Sequence, residues 1–201
     1  MSDPLPDNIR PDHKLIIDMV EPGSKVLDLG CGNGDLLQLL IKHKNCRGTG
    51  IELDEKAVFN CLERGVSVSQ GDLDNSMQDY SDKRFDYVIL NESLQEVLNP
   101  EHVLKESARV GKKVIVGIPN FCNISARLQI ALLGQVPVTK SLPYKWYNTP
   151  NLRFLSLKDF RNFCQERGIT IEKERAVVGK TEIPFCKNLL AYVGVFLLKK
   201  E

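Results

Sequence analysis

The stretch Val26-Leu27-Asp28-Leu29-Gly30-Cys31-Gly32-Asn33-Gly34 runs from an apolar strand straight into three glycines, and the apolar-periodic residues Leu36, Leu37, Leu39, Leu40 and Ile41 follow at once. Strand, glycine turn and helix together set backbone N–H groups and a helix N-terminus beside a ligand. Glycine is required where the backbone must approach closely or take positive φ. Such a turn also serves plain packing of a strand on a helix, so the loop by itself is a weak signal. Its candidate binding residues are Asp28, Gly30, Cys31, Gly32 and Gly34.

Working outward, residues 47–52 read as a second strand that ends at Glu52, with Leu53 beside it. Glu52 stands roughly 20 residues beyond the loop, where an acidic side chain holds a ribose diol. Two nucleotide classes share that pairing. A dinucleotide fingerprint places its third glycine or alanine at position 35, which here is Asp35. Aspartates at 28 and 35 would crowd a pyrophosphate, whereas a sulfonium ligand with an amino group is favoured by nearby carboxylates. The chain's end points the same way. Residues 169–178 and 189–198 read as strands separated by about ten residues, including Pro184. A parallel crossover needs roughly a dozen or more, so this pair should be an antiparallel hairpin, unlike the all-parallel second half of the dinucleotide fold. The balance goes to S-adenosylmethionine over NAD.

The remaining periodicity alternates in the same manner. Pro11 opens a helix whose apolar face is Leu15, Ile16, Met19 and Val20, and Pro22-Gly23 stops it. Residues 55–64 read as a helix capped by Gly65, 66–70 as a third strand, and 72–84 as a loop. The fourth strand, 85–91, is almost wholly apolar, as suits the buried centre of a parallel sheet. A helix over 100–110, a strand over 113–118 and a helix over 123–133 follow. Ser156 with Asp159 resembles a capping box opening a helix that Gly168 closes. These elements predict an α/β, doubly wound, Rossmann-like fold, with a mostly parallel seven-stranded sheet ending in the C-terminal antiparallel hairpin. At 201 residues the chain should form a single domain over 1–201, with an insert or lid at about 120–155.

Composition excludes several function classes. A formal net charge of +1, with lysines and arginines spread along the chain, argues against nucleic acid as a partner. The longest apolar stretch, 189–198, is about half of what a membrane span needs, and the start of the chain is polar with no signal-peptide core. A soluble, cytoplasmic protein without a membrane partner is expected. Six scattered cysteines lack any C-x-x-C pair, so they predict buried reduced thiols and no metal site.

With these motifs in view, the loop at 26–34 resembles motif I of the class I S-adenosylmethionine-dependent methyltransferases. Glu52, Gly71-Asp72-Leu73 and Phe85-Asp86-Tyr87-Val88-Ile89-Leu90 are similar to the motifs that follow it. The resemblance implies that Asp28 anchors the methionine moiety, that Glu52 holds both ribose hydroxyls, and that Asp72 and Leu73 meet the adenine. Asn91 would then face the reactive methyl. A narrower resemblance lies in the second half: Pro119-Asn120-Phe121, Arg127-Leu128-Gln129, Pro137-Val138-Thr139-Lys140, and the run from Leu142-Pro143-Tyr144 to Asn148-Thr149-Pro150-Asn151. With the glycine loop, these resemble the MetW methionine-biosynthesis family over nearly the whole chain. That resemblance implies a role beside homoserine O-acetyltransferase and a methyltransferase-like fold, but no known methyl acceptor. The chain departs from it at Arg153-Phe154, where a histidine is expected, and at Cys122-Asn123-Ile124, where Gly-His-Trp is expected.

Catalytic machinery is sparse. Methyl transfer is an in-line displacement that positioning can drive, and a base is needed only when the acceptor must lose a proton. The segment after strand four, Asn91-Glu92-Ser93-Leu94-Gln95-Glu96, offers Glu92 as a conceivable base, though a helix start solvated by Glu92 is the plainer expectation. His13, His43 and His102 read as surface residues on helices. The aromatics at 144–147 read as core or lid. No catalytic residue is assigned.

Overall fold

The computed structural model describes residues 5–6, 8–139 and 141–199. Lys140 and most of the polar start of the chain lie outside the described residues, and so do the readings made on them. The elements are α1 (Pro11–Met19), β1 (Lys25–Leu29), α2 (Asp35–Lys44), β2 (Arg47–Glu52), α3 (Glu55–Glu63), β3 (Ser67–Gln70), β4 (Phe85–Asn91), α4 (Pro100–Val110), β5 (Gly111–Pro119), α5 (Ile124–Leu128), a π-helical turn (Gln129–Leu133), α6 (Leu157–Glu166), β6 (Thr170–Val178), β7 (Thr181–Glu182), α7 (Lys187–Leu190) and β8 (Val193–Lys199).

The strands form one sheet in the order β3-β2-β1-β4-β5-β8-β6-β7. Pairing is parallel from β3 through β5 and antiparallel at β5–β8, β8–β6 and β6–β7. The expected antiparallel pairing of the last two long strands is present, with Ala176 opposite Gly194 and Val177 opposite Val193. Two details correct the sequence reading. An eighth strand, β7, turns back on β6 through Gly179, whose φ of +56° a side chain would resist. The last strand also starts later than expected, because Leu189 and Leu190 belong to α7. The Asn120 side-chain amide holds that turn by donating to the carbonyls of Asn188 and Ala191, at 3.0 and 2.9 Å.

Alternation along the strands divides the core between the two sheet faces. Tyr87, Ile89, Ile115 and Val195 pack with Leu15, Ile16, Leu37 and Leu40 of α1 and α2. Val88, Leu90, Val114 and Phe196 pack with Val103, Leu104, Phe160 and Cys164 of α4 and α6. Each fully buried Leu, Ile or Phe contributes roughly 1.5–3 kcal/mol, so the two apolar faces fix which way every strand turns. Chain order reverses between β1 and β4. In open α/β sheets the crevice beyond the carboxyl ends of the strands at such a reversal is where ligands bind. Gly30 follows β1 directly and Asn91 ends β4, so both stand at this crevice.

Candidate functional site

The glycine loop turns on positive φ at Gly30 (+76°), Gly32 (+53°) and Gly34 (+76°). Gly30 and Cys31 both donate backbone N–H groups to the Ile51 carbonyl, at 2.8 and 3.3 Å, which stitches the loop to β2. A Cβ on Gly30 would come within 2.7 Å of the Ser93 Cβ, and Ser93 donates its hydroxyl to the Leu29 carbonyl at 2.7 Å. Gly34 caps α2 against Cys61 and Val66. Gly32 differs from both: its missing Cβ would meet nothing within 4 Å, so the chain there borders open space.

Glu52 closes that space from β2. Its Oε2 accepts the Gly32 N–H at 2.8 Å, while Oε1 accepts the N–H groups of Leu53 and Asp54 at 2.9 and 3.0 Å. A carboxylate has about four lone-pair positions, so capacity remains for a further donor. Asp28 lies behind the loop, buried between β2 and β4 opposite Gly50 and Ile89. Burial, and then the charge of Glu52, push its carboxyl up to about 7. Cys31 is also largely enclosed, with its sulfur over Gly50, and burial raises its thiol far out of the reactive range.

Gly30, Gly32, Glu52 and Asn91 line one cavity of about 680 Å³. Its other wall comes from α1 and from the turn after β4. Arg10 donates to both oxygens of Asp12, at 3.2 and 2.7 Å, and pairs with Glu92 across the opening. Asn91 Nδ2 donates to Asp12 Oδ2 at 2.8 Å, and Gln95 Nε2 donates to the Glu92 carbonyl at 2.6 Å. The amide oxygens of Asn91 and Gln95 are buried and unbonded among the described residues. Each such orphan acceptor costs about 1–3 kcal/mol unless a ligand or water serves it. Glu96, Ser141, Tyr144, Asn151 and Tyr192 complete the rim. Burial would raise the Asp12 carboxyl, but Arg10 overrides it and holds Asp12 below the ordinary range. Burial prevails at Glu92 and raises it, and Glu96, though largely exposed, is raised by partial desolvation and by the charges of Glu52 and Glu92.

Several sequence readings change here. The remaining predicted site residues stay outside the cavity. Leu53 is 65% exposed, and Leu73 packs toward the core beneath Gly30. Asp72 is exposed and accepts the Asp74 N–H at 3.1 Å, closing its own turn. Glu92 neither caps nor solvates a helix start; it sits at φ +58° and faces Arg10. His13 is buried rather than on the surface, beside Asp12, and burial lowers its imidazole. The aromatics at 144–147 are no core: Tyr144 is about half exposed, and Trp146 and Tyr147 more so. Cys186 is exposed, unlike most of the other thiols. Sequence reading missed Arg10 and Asp12 altogether, and took in Gln95 only as part of the segment after strand four. The pattern Arg10-Pro11-Asp12 marks a helix start, and nothing local signals that Glu92 and Asn91 fold onto it. A second cavity, of about 430 Å³, opens between α4 and α6 near Lys112 and Leu198, at the opposite ends of the strands.

The strand order, the reversal at β1–β4 and the antiparallel β8 define the fold of S-adenosylmethionine-dependent methyltransferases. A solved enzyme of that kind from Archaeoglobus fulgidus superposes with a TM-score of 0.67 at 14% identity, over 94% of each chain. Demethylmenaquinone methyltransferase of Bacillus cytotoxicus is 27% identical over 75% of this chain and 71% of its own. More particularly, residues 10–198 match the family described as methionine biosynthesis protein MetW, and the chain belongs to that family. The bifunctional methionine biosynthesis protein MetXA/MetW of Rhodopirellula baltica is 34% identical over 81% of this chain. The matched region is 28% of that relative's length.

Proposed function

We propose that this chain binds S-adenosylmethionine at the loop Asp28–Gly34 and acts in methionine biosynthesis together with homoserine O-acetyltransferase. The observation that carries the reading is the bond from the Gly32 N–H to Glu52 Oε2, which joins the glycine turn and the ribose-type acid at one cavity. The cavity's charge supports the same ligand. Asp12, Glu52, Glu92 and Glu96 face a single arginine, Arg10, a balance that suits a sulfonium and repels a pyrophosphate. Asp35, which stands where a dinucleotide site needs glycine, pairs with Arg64.

When bound, S-adenosylmethionine supplies an electrophilic methyl group. In this reading Glu52 holds the ribose, the open backbone at Gly32 lets the ligand approach, Asp28 supports the amino-acid end from behind the loop, and Asp72 with Leu73 meets the adenine beyond the cavity's rim. The partner is supported by the bifunctional relative, which carries a MetXA part beside its MetW part. The second reading is an active methyltransferase on a small-molecule or protein acceptor. Glu96 favours it, since a carboxyl on the cavity wall, raised by partial desolvation and by the charges of Glu52 and Glu92, suits a general base. The third, an NAD-dependent oxidoreductase, is the weakest.

Calorimetric titration with S-adenosylmethionine and with NADH tests these readings. Saturable binding of the former, weakened about tenfold or more by Glu52→Ala, is expected, with no heat from NADH. An absence of S-adenosylmethionine binding to well-folded protein would overturn the proposal. For the partner, homoserine acetylation is compared with and without this chain. A change in rate is expected, and an unchanged rate alongside rapid turnover of S-adenosylmethionine on a defined acceptor would favour the methyltransferase reading.

A further inference from the structure

The cations of this chain are spread along it, but the acids are not. From Pro119 to Lys158 there is no aspartate or glutamate, against five lysines and arginines: Arg127, Lys140, Lys145, Arg153 and Lys158. The chain's net charge is +1 and this tract supplies +5, which leaves −4 for the rest. Resting on the partner reading above, we propose that this tract, centred on Tyr144-Lys145-Trp146-Tyr147, is where homoserine O-acetyltransferase docks. The face that meets it is acidic around an apolar centre.

Folding does not neutralise these cations. Arg127, Lys145, Arg153 and Lys158 are exposed, and none forms an ion pair among the described residues. Arg127 donates to the Cys122 carbonyl and Arg153 to those of Val97 and Leu98, while Lys145 lies over the Tyr147 ring at 5.9 Å. Carbonyls and ring faces orient a cation without removing its charge. Arg10, Arg64, Arg109, Arg161, Arg167 and Arg175 each pair with a carboxylate instead. Residues 143–148 are all exposed, and Trp146 packs edge-on against Tyr147, so aromatic and cationic side chains share one patch. Tryptophan, tyrosine and arginine are enriched at protein interfaces, where opposite charge steers the encounter. A bilayer suits the tract less. Before α6 its helical parts are the five-residue α5 and a five-residue π-helical turn, too little for an amphipathic helix lying in a lipid surface.

The test follows association of the full chain with purified acetyltransferase by surface-capture kinetics, from about 50 to about 500 mM salt. Sedimentation velocity is run on each protein alone and on the mixture. The wild-type association rate should fall about tenfold or more across that range. At low salt, Lys145→Glu and Arg127→Glu should each slow association about threefold or more, and Lys145→Arg should behave as wild type. Lys56→Glu on α3 changes the net charge equally but lies outside the tract, and should alter the rate by less than about twofold. Association that neither the reversals nor salt affects would overturn the assignment and leave the partner reading standing. Failure of wild type to associate with the acetyltransferase would remove the partner reading, and the assignment with it. Self-association of the chain alone, lost in the reversals, would put a second copy on the tract. Binding to phosphatidylglycerol but not phosphatidylcholine vesicles, lost in the same variants, would put a lipid surface there; either result overturns the assignment. Thermal melting checks the fold, and should one reversal not fold, the other decides together with the salt dependence of wild type.

Discussion

At the scale of single residues, the buried carboxyl of Asp28 is the group whose cost should be measurable. Its pKa rises on folding to about 7 through burial and then the charge of Glu52, so between the ordinary carboxylate range and about 7 the folded chain binds more protons than the unfolded one. Its contribution to stability is therefore present at low pH and is lost as pH rises through about 7. Wild type measured against Asp28→Asn by urea unfolding should fall in relative stability as pH rises toward 7 and then level off. A flat difference across that window would mean that Asp28 is not desolvated. Gly30 is the other decisive residue. Gly30→Ala combines positive φ with a 2.7 Å approach to Ser93, and should cost about 1–3 kcal/mol in unfolding free energy. Gly32→Ala has room for its Cβ but keeps the positive φ, so it should destabilise less while still intruding on the cavity.

At the scale of elements, caps and breaks were the most legible features. The Ser156–Asp159 capping box forms in both directions, with Ser156 Oγ accepting the Asp159 N–H at 3.1 Å and Asp159 Oδ2 accepting the Ser156 N–H at 2.9 Å. Ser156→Ala should lower stability by about 1 kcal/mol, seen as an earlier urea midpoint with an unchanged slope. An unaltered midpoint would show that packing of Leu157 and Phe160 holds α6 without its cap. The helix expected over 123–133 is real but changes pitch, α5 giving way to a π-helical turn at Gln129–Leu133. Apolar content signals a helix without reporting its pitch. Here the Gln129 side chain bonds the backbone of Val138 in both directions, tying the turn to the following segment. Likewise the short β7 and α7 depend on contacts with β6 and Asn120, which residue preferences do not encode.

At the scale of the whole molecule, the described residues of 128–139 and 141–154 leave several large apolar side chains exposed. Leu132, Leu133 and Leu152 are exposed together with Trp146 and Tyr147, which pack edge-on at 5.6 Å. Arg153 anchors the segment's end on the carbonyls of Val97 and Leu98. Exposed large apolar side chains mark contact surfaces where they gather into a patch. If the acetyltransferase docks here, Trp146→Ala and Leu132→Asp should each weaken the complex by about 2 kcal/mol while leaving the melting temperature of the isolated chain unchanged, as read by co-sedimentation and thermal melting. Undiminished association in both variants would move the interface elsewhere. No helix among the described residues is long and apolar enough to cross a membrane.

The sequence by itself determined the local grammar: where most of the strands and helices lie, where the glycine loop turns, and that an acidic residue, Glu52, follows roughly 20 residues beyond it. These rest on periodicity and on conformational freedom, which are properties of neighbouring residues. Only the tertiary structure decided the opposite wall of the cavity. Arg10 meets Glu92 across 82 residues, and Asn91 meets Asp12 across 79, so no spacing rule could join them. The burial of His13, the charge balance of the cavity and the orphaned oxygens of Asn91 and Gln95 arise from the same long-range packing. Such contacts are fixed by how α1 and the β4 turn converge at the sheet's reversal point, a relation between elements that no single segment contains.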